Sequence, residues 1–115
     1  MTGTAAAANT AYASSGITGL GNEAVTLTDT SLAADALNTT NTNTTGTVTV
    51  QATTVTGTAG NLVTAYSAQG SGIDGLGNEA ITSSETLTVA QANTLAGLTT
   101  GAVTSTISNG DMTTL

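Results

Sequence analysis

One stretch of text occurs twice in this chain. Thr10-Ala-Tyr12 leads to Gly19-Leu-Gly-Asn-Glu-Ala24, and Thr64-Ala-Tyr66 leads to Gly75-Leu-Gly-Asn-Glu-Ala80. Thr10 maps to Thr64 at an offset of 54, and Glu23 to Glu79 at 56, so the second copy carries a two-position insertion. A chain of 115 residues that repeats itself in this way reads as part of a repeat array. Arrays bury their faces against neighbouring repeats and do not build one central core. The expected organisation is a single array over 1–115, with paired units at about 1–55 and 56–110. Residues 111–115 are expected to start a further coil.

Composition narrows the chemistry. There is no Lys, Arg, His, Cys, Trp, Phe or Pro, and Thr fills 29 positions. The seven charges are all negative: Glu23, Asp29, Asp35, Asp74, Glu79, Glu85 and Asp111. Without a cation the chain cannot neutralise phosphate, which argues against nucleic acid and against anionic lipid as partners. No apolar run approaches the roughly 18 residues of a membrane span. Met1 is not followed by a basic and then an apolar segment, so any export signal is expected elsewhere in a longer parent. Hydrophobic residues make up 38%, much of it Ala, which fills narrow gaps and suits a thin stacked body.

Two periodicities alternate along the chain. Val25–Asp29, Thr47–Gln51, Ala80–Ser84 and Ala102–Ile107 alternate apolar and hydroxyl residues and read as short strands. Between them lie Ala-rich segments with helix starts and stops. These are Ala5–Ser14 after Thr4, Leu32–Leu37 after Thr30 and Ser31, Ala59–Ala68 after Thr58, and Val89–Ala96 after Thr88. Gly16, Gly70 and Gly97 follow three of them as stops. Strands joined through such helices should be parallel, with right-handed crossovers. The fold class expected is α/β, a right-handed solenoid of short parallel strands alternating with short Ala-rich helices, with one sheet and all helices on one side. The alternative is an all-β solenoid. The strand starts Val25, Val48, Ile81 and Val103 are unevenly spaced, with the longest gap in the middle. That alternation suggests a paired repeat of roughly 55 residues, made of two coils.

If Val25, Leu27, Val48, Val50, Ile81 and Val103 face the helices, the opposite face carries hydroxyls. Those are Thr26, Thr28, Thr47, Thr49, Thr82, Ser84, Thr104 and Thr106. The expectation is a Thr ladder across four adjacent strands, a sheet-forming pattern and a candidate binding face.

Gly19–Ala24 and Gly75–Ala80 spell a loose GxGxxA, but each follows a helix and leads into a strand. A dinucleotide fingerprint needs the reverse order, so these read as tight turns. Gly70-Ser-Gly-Ile-Asp-Gly-Leu-Gly77 resembles a calcium-binding nonapeptide of the RTX type, with Gly72, Asp74 and Leu76 in register. Such sites take ligands from consecutive turns, and the first copy has Thr18 where the second has Asp74. Asp74 is therefore the single candidate metal ligand, and calcium the single candidate cofactor. Glu23 and Glu79 sit a repeat apart with no residue to tune them, so no catalytic pair is expected. Tyr12 and Tyr66, the only aromatics, occupy matching helix positions and are expected to pack between coils.

The run Gly16–Asp29, the Leu32–Gly46 stretch ending Asn-Thr-Thr-Gly, and the Val55–Ala59 turn resemble the repeats of very large surface or secreted proteins of marine cyanobacteria. Similar text also occurs in fibre-like proteins of their phages. The resemblance covers nearly the whole chain and departs from the usual pattern at Asn41–Asn43 and Thr18. It implies an extracellular or cell-surface location and an acidic, repeat-built, adhesin-like role, sometimes beside calcium-binding repeats. The function expected is a non-catalytic structural and adhesive module presenting a Thr-rich sheet face. Its partners would be neighbouring repeats of the same chain, and surface glycans or other cells. Alternatives are an RTX-like calcium binder, an ice- or carbohydrate-binding solenoid, and a virion fibre segment. An enzyme ranks last.

Overall fold

A computed structural model describes residues 1–108 of the chain. The expected start of a further coil at 111–115 lies outside the described residues. In chain order the elements are β1 (Thr2–Gly3), α1 (Ala5–Ala13), β2 (Val25–Leu27), β3 (Ser31–Ala33), α2 (Ala34–Asn43) and β4 (Val48–Val50). There follow β5 (Thr54–Gly57), α3 (Ala59–Ser67), β6 (Ile73–Asp74), β7 (Ala80–Leu87), α4 (Val89–Ala96) and β8 (Val103–Ile107). The class is α/β, as expected.

There are two parallel sheets, ordered β1-β2-β4-β6 and β3-β5-β7-β8. The chain visits one sheet, turns a corner, visits the other, and returns through a helix. In the first sheet Val25 pairs with Val48, and Val48 with Ile73. In the second, Leu32 pairs with Val55, Val55 with Ile81, and Ile81 with Val103. Each of these except Val103 is essentially inaccessible to solvent. The pairing therefore writes apolar rows down the inside of the molecule, coil upon coil. Helices close the third side, with α1 on α2, α2 on α3 and α3 on α4. They contribute Ala8, Leu37, Leu62, Ala65, Tyr66 and Leu95 to the same core. The body measures 54 × 23 × 21 Å, with a radius of gyration of 15.2 Å. A compact domain of similar length would have a radius of about 13 Å.

Two expectations need correction. There is not one sheet but two, and β1, β3, β5 and β6 escape the sequence because strands so short leave little periodicity to read. The apparent long step from Val48 to Ile81 compares strands in different sheets. Within the first sheet Val48 meets Ile73, and within the second Val55 meets Ile81. Those two steps are nearly equal, so coil length is almost constant although the text repeats every second coil.

Helix starts were legible where a Thr caps them. Thr4, Thr58 and Thr88 accept hydrogen bonds from Ala7, Asn61 and Gln91, and Gln91 completes a capping box on α4. The exception is α2. Thr30 and Ser31 look like caps, yet Leu32 is drawn into β3 by pairing with Val55. The helix starts instead at Ala34, after Ala33, with no side-chain cap. Backbone pairing and burial of a Leu outweigh a local preference worth about 1 kcal/mol.

Two glycines test this packing in opposite directions. A Cβ on Gly101 would sit 2.3 Å from the Glu79 carbonyl oxygen of the preceding coil, and one on Gly46 would sit 2.3 Å from that of Glu23. Gly101→Ala is expected to lower unfolding free energy by about 1–3 kcal/mol. Gly60, inside α3, has open space around its missing Cβ. Gly60→Ala is expected to raise stability by about 0.5–1 kcal/mol. Chemical denaturation of the two variants checks both signs.

Candidate functional site

The expected hydroxyl face exists strand by strand but divides between the two sheets. On the first sheet the outward row runs Thr2, Thr26, Thr49, Asp74. On the second it runs Ala33, Thr56, Thr82, Thr104. Thr28 and Thr47 are exposed beside the ends of β2 and β4. Ser84 lies in the irregular stretch between Thr82 and Thr86, and Thr106 pairs with Thr86. The eight candidate hydroxyls therefore form two short faces and not one ladder. Thr56, which the sequence placed in a turn, belongs to the second face. The side-chain hydroxyls of all eight are free of hydrogen bonds to protein among the described residues. Neighbouring Thr residues in a row stand one strand spacing apart, about 4.8 Å.

The carboxylates go elsewhere, onto backbone amides. Glu79 is 1% exposed. Its Oε1 accepts from the Tyr66 hydroxyl at 2.7 Å and from the Gly77 amide at 2.9 Å. Its Oε2 is buried without a partner. Glu23 is held in the same way by the Tyr12 hydroxyl and by Gly21, whose amide lies 2.9 Å from Oε1 and 3.1 Å from Oε2. The next coil locks each turn. Thr44 Oγ1 donates to the Glu23 carbonyl at 2.7 Å and Thr99 Oγ1 to the Glu79 carbonyl at 2.6 Å. Thus Tyr12 and Tyr66 do more than pack: each supplies a side-chain donor to a carboxylate in a chain without cationic side chains. The duplicated Thr-Thr-Gly at 44–46 and 99–101 was a readable sign of this lock.

Asp29 and Glu85 are a second matched pair, passed over in the sequence. Asp29 Oδ2 accepts from the Ala5 amide at 2.8 Å, and Glu85 Oε1 from the Ala59 amide at 2.9 Å. Each caps the first turn of a helix in the preceding coil, where the amides are orphaned and the dipole is positive. Their common offset of 56 from the duplication would have paired them.

Asp74 is exposed, and its Oδ1 accepts from Gln69 Nε2 and from the Gly75 amide, both at 3.0 Å. Gln69 Oε1 in turn accepts from the Leu76 amide at 2.8 Å. The residues around Asp74 thus close a local turn. No group of three or more acidic side chains that could hold a metal ion occurs among the described residues. A cavity of about 360 Å³ between α3 and α4 is lined by Ala59, Gly60, Val63, Ala90, Gln91 and Thr94, none of them titratable. No helix among the described residues is long and apolar enough to cross a membrane.

No protein-family model matches the chain, and neither does any curated protein or solved structure.

The Tyr–Glu pairs set the pH behaviour. The hydrogen bond from Tyr12, with that from Gly21, holds Glu23 below its ordinary value of 4.5. Burial, and then the bond to glutamate, pushes both tyrosines above their ordinary 10.0. The Glu23 contribution is present above about pH 4.5 and is lost as pH falls below it. The tyrosine contribution is intact below about pH 10 and is lost as pH rises further. Denaturation midpoints should therefore hold between these limits and fall on both sides. Tyr66→Phe removes one of two donors to a buried carboxylate and should cost about 1–3 kcal/mol. Tyr12→Phe, at a more open site, should cost less.

Proposed function

We propose that the chain is a non-catalytic structural and adhesive module, a segment of a right-handed solenoid that extends an exported surface protein and presents threonine. The observation that carries this is the pair of outward Thr rows, Thr26–Thr49 and Thr82–Thr104, in register on adjacent parallel strands. Their hydroxyls are unspent, while every described carboxylate except Asp74 is engaged off these faces. The resulting surfaces suit contact with hydroxyl-rich fibrous material such as polysaccharide, a few hydroxyls at a time. Location at a cell surface rests on the resemblance to cyanobacterial surface repeats and on a composition with no Cys and no Lys or Arg for trypsin-like proteases. This reading assigns no role to calcium: Asp74 Oδ1 is served by Gln69 and Gly75, and no further acidic side chains gather beside it among the described residues.

Retention of fluorescent beads coated with the module, on crystalline cellulose and on chitin, tests the adhesive role. Retention is expected on at least one surface and should be lost when Thr26, Thr49, Thr82 and Thr104 are all changed to Lys. The substitutions at exposed Thr82 and Thr104 should each move stability by no more than about 0.5 kcal/mol, and those at half-buried Thr26 and Thr49 somewhat more. Absence of retention on both surfaces, or retention unchanged in the quadruple variant, would overturn the adhesive role. The melting temperature should be the same with calcium and with chelator; a saturable rise with calcium would restore Asp74 as a ligand.

A further inference from the structure

Ile17 is 48% exposed, whereas its counterpart in the second copy, Ile73, is fully buried. The difference has a definite cause. Ile73 and Asp74 form β6, which pairs with Val48 and Thr49 of β4. In the duplicated text Val48 and Thr49 correspond to Val103 and Thr104, at an offset of 55. What covers Ile73 is therefore the tail of the first copy. The second copy carries the same tail in β8, the last strand of its sheet among the described residues. Ile17 and Thr18 carry the same head, with no strand beside them among the described residues.

The rest of the head agrees. Leu20 and Glu23 are partly exposed, whereas Leu76 and Glu79 are buried. The backbone polarity of the tail agrees as well. Val25, Val48 and Ile81 donate to Thr47, Gly72 and Ala102 in the coil that follows, at 2.8–2.9 Å. In parallel pairing the amide and carbonyl of one residue point the same way. Since Val103 pairs with Ile81, whose own amide and carbonyl face β8, the amide and carbonyl of Val103 point away from β7, to a side with no strand among the described residues.

We propose that copies of this chain assemble head to tail, with Ile17–Thr18 of one copy pairing in parallel with Val103–Thr104 of the next. The new strand would be the equivalent of β6, with Ile17 seated on Val103 as Ile73 is on Val48. The occupant of the head is thus a second copy of this chain, and the template is the junction already present inside the molecule. The surfaces joined are different, so the contact is heterologous, and stacking along the long axis would let it propagate. It rests on the reading of the chain as a stacking module. Each copy carries a net charge of −7, so association opposes like charge and should strengthen as salt screens it.

Disulfide trapping tests the register. Thr18 and Thr104 are both exposed, and the chain has no Cys of its own. If Thr18 and Thr104 are partners, as Thr49 and Asp74 are, their Cα atoms lie about 4.8 Å apart, within disulfide reach. The Thr18→Cys/Thr104→Cys variant should oxidise to a ladder of dimers, trimers and longer species, growing with protein and salt concentration. Thr18→Cys/Thr82→Cys is the control, since Thr82 lies on β7, which is paired on both sides. In the unmodified chain, sedimentation should show concentration-dependent oligomers that Ile17→Asp abolishes; Ile17 is exposed, so that variant folds. A monomer at every concentration, or an equal ladder from the control pair, would overturn the proposal. Bead retention by the Thr faces would be untouched by that failure, so the two ideas fall separately.

Discussion

A single coil of this chain cannot bury its own apolar side. Each coil offers only a few inward side chains from its strands and its helix, all of them small or middle-sized. They are removed from water only when the coil above and the coil below supply the matching residues. The rows Val25–Val48–Ile73 and Leu32–Val55–Ile81 are the physical form of this dependence. Each short strand and each helix of eight to ten residues would be unstable alone. Parallel pairing between coils brings them together. The narrow interior also explains the composition, since Val, Leu, Ile and Ala span it and larger side chains would force the coils apart. The two tyrosines are accommodated because the hydroxyl of each finds a carboxylate.

The lack of cations shapes the electrostatics more than the net charge does. No cationic side chain is present to pair with the acids, so backbone amides, with the two tyrosine hydroxyls and Gln69, take that role. Asp29 and Glu85 cap helices of the preceding coil, Asp35 accepts from Ala36, and Glu23 and Glu79 pin turns. All of these but Asp35 fall into equivalent pairs, each spending its charge on an orphaned N–H. A carboxylate on an amide at a helix start is stabilised without the entropy cost of two long side chains held together. It also leaves the outward sheet rows almost free of charge, with Asp74 the exception.

The sequence revealed what is local. Thr caps marked three helices because the capping hydroxyl lies within one turn of the amide it serves. The inward and outward residues of β2, β4, β7 and β8 followed from alternation. What escaped was set at a distance. Leu32 joins a strand because Val55 lies opposite it, a full coil further along the chain. Ile73 and Asp74 form a strand only because β4 offers them an edge. The equivalent text at Ile17 and Thr18, without that edge, is not a strand. The candidate Thr residues were individually well placed, yet their grouping depended on which sheet each strand joins, and no local pattern encodes that. Asp29 and Glu85 were invisible as caps for the same reason, since the amides they serve belong to the coil before.

The duplication and the sheets do not march together, and this bears on what the surface can recognise. β2 and β4 belong to the first sheet, but their counterparts β7 and β8 belong to the second. The two copies are therefore turned about the long axis relative to each other, with equivalent Thr residues on different sides. One flat object laid on the first sheet meets Thr2, Thr26 and Thr49 and then the charge of Asp74. Laid on the second, it meets Thr56, Thr82 and Thr104. A lattice that needs long uniform rows would find only three hydroxyls in either one. A ligand that contacts a few hydroxyls at a time, from several directions, is better matched. On the adhesive role proposed above, that geometry favours flexible or fibrous polysaccharide over ice.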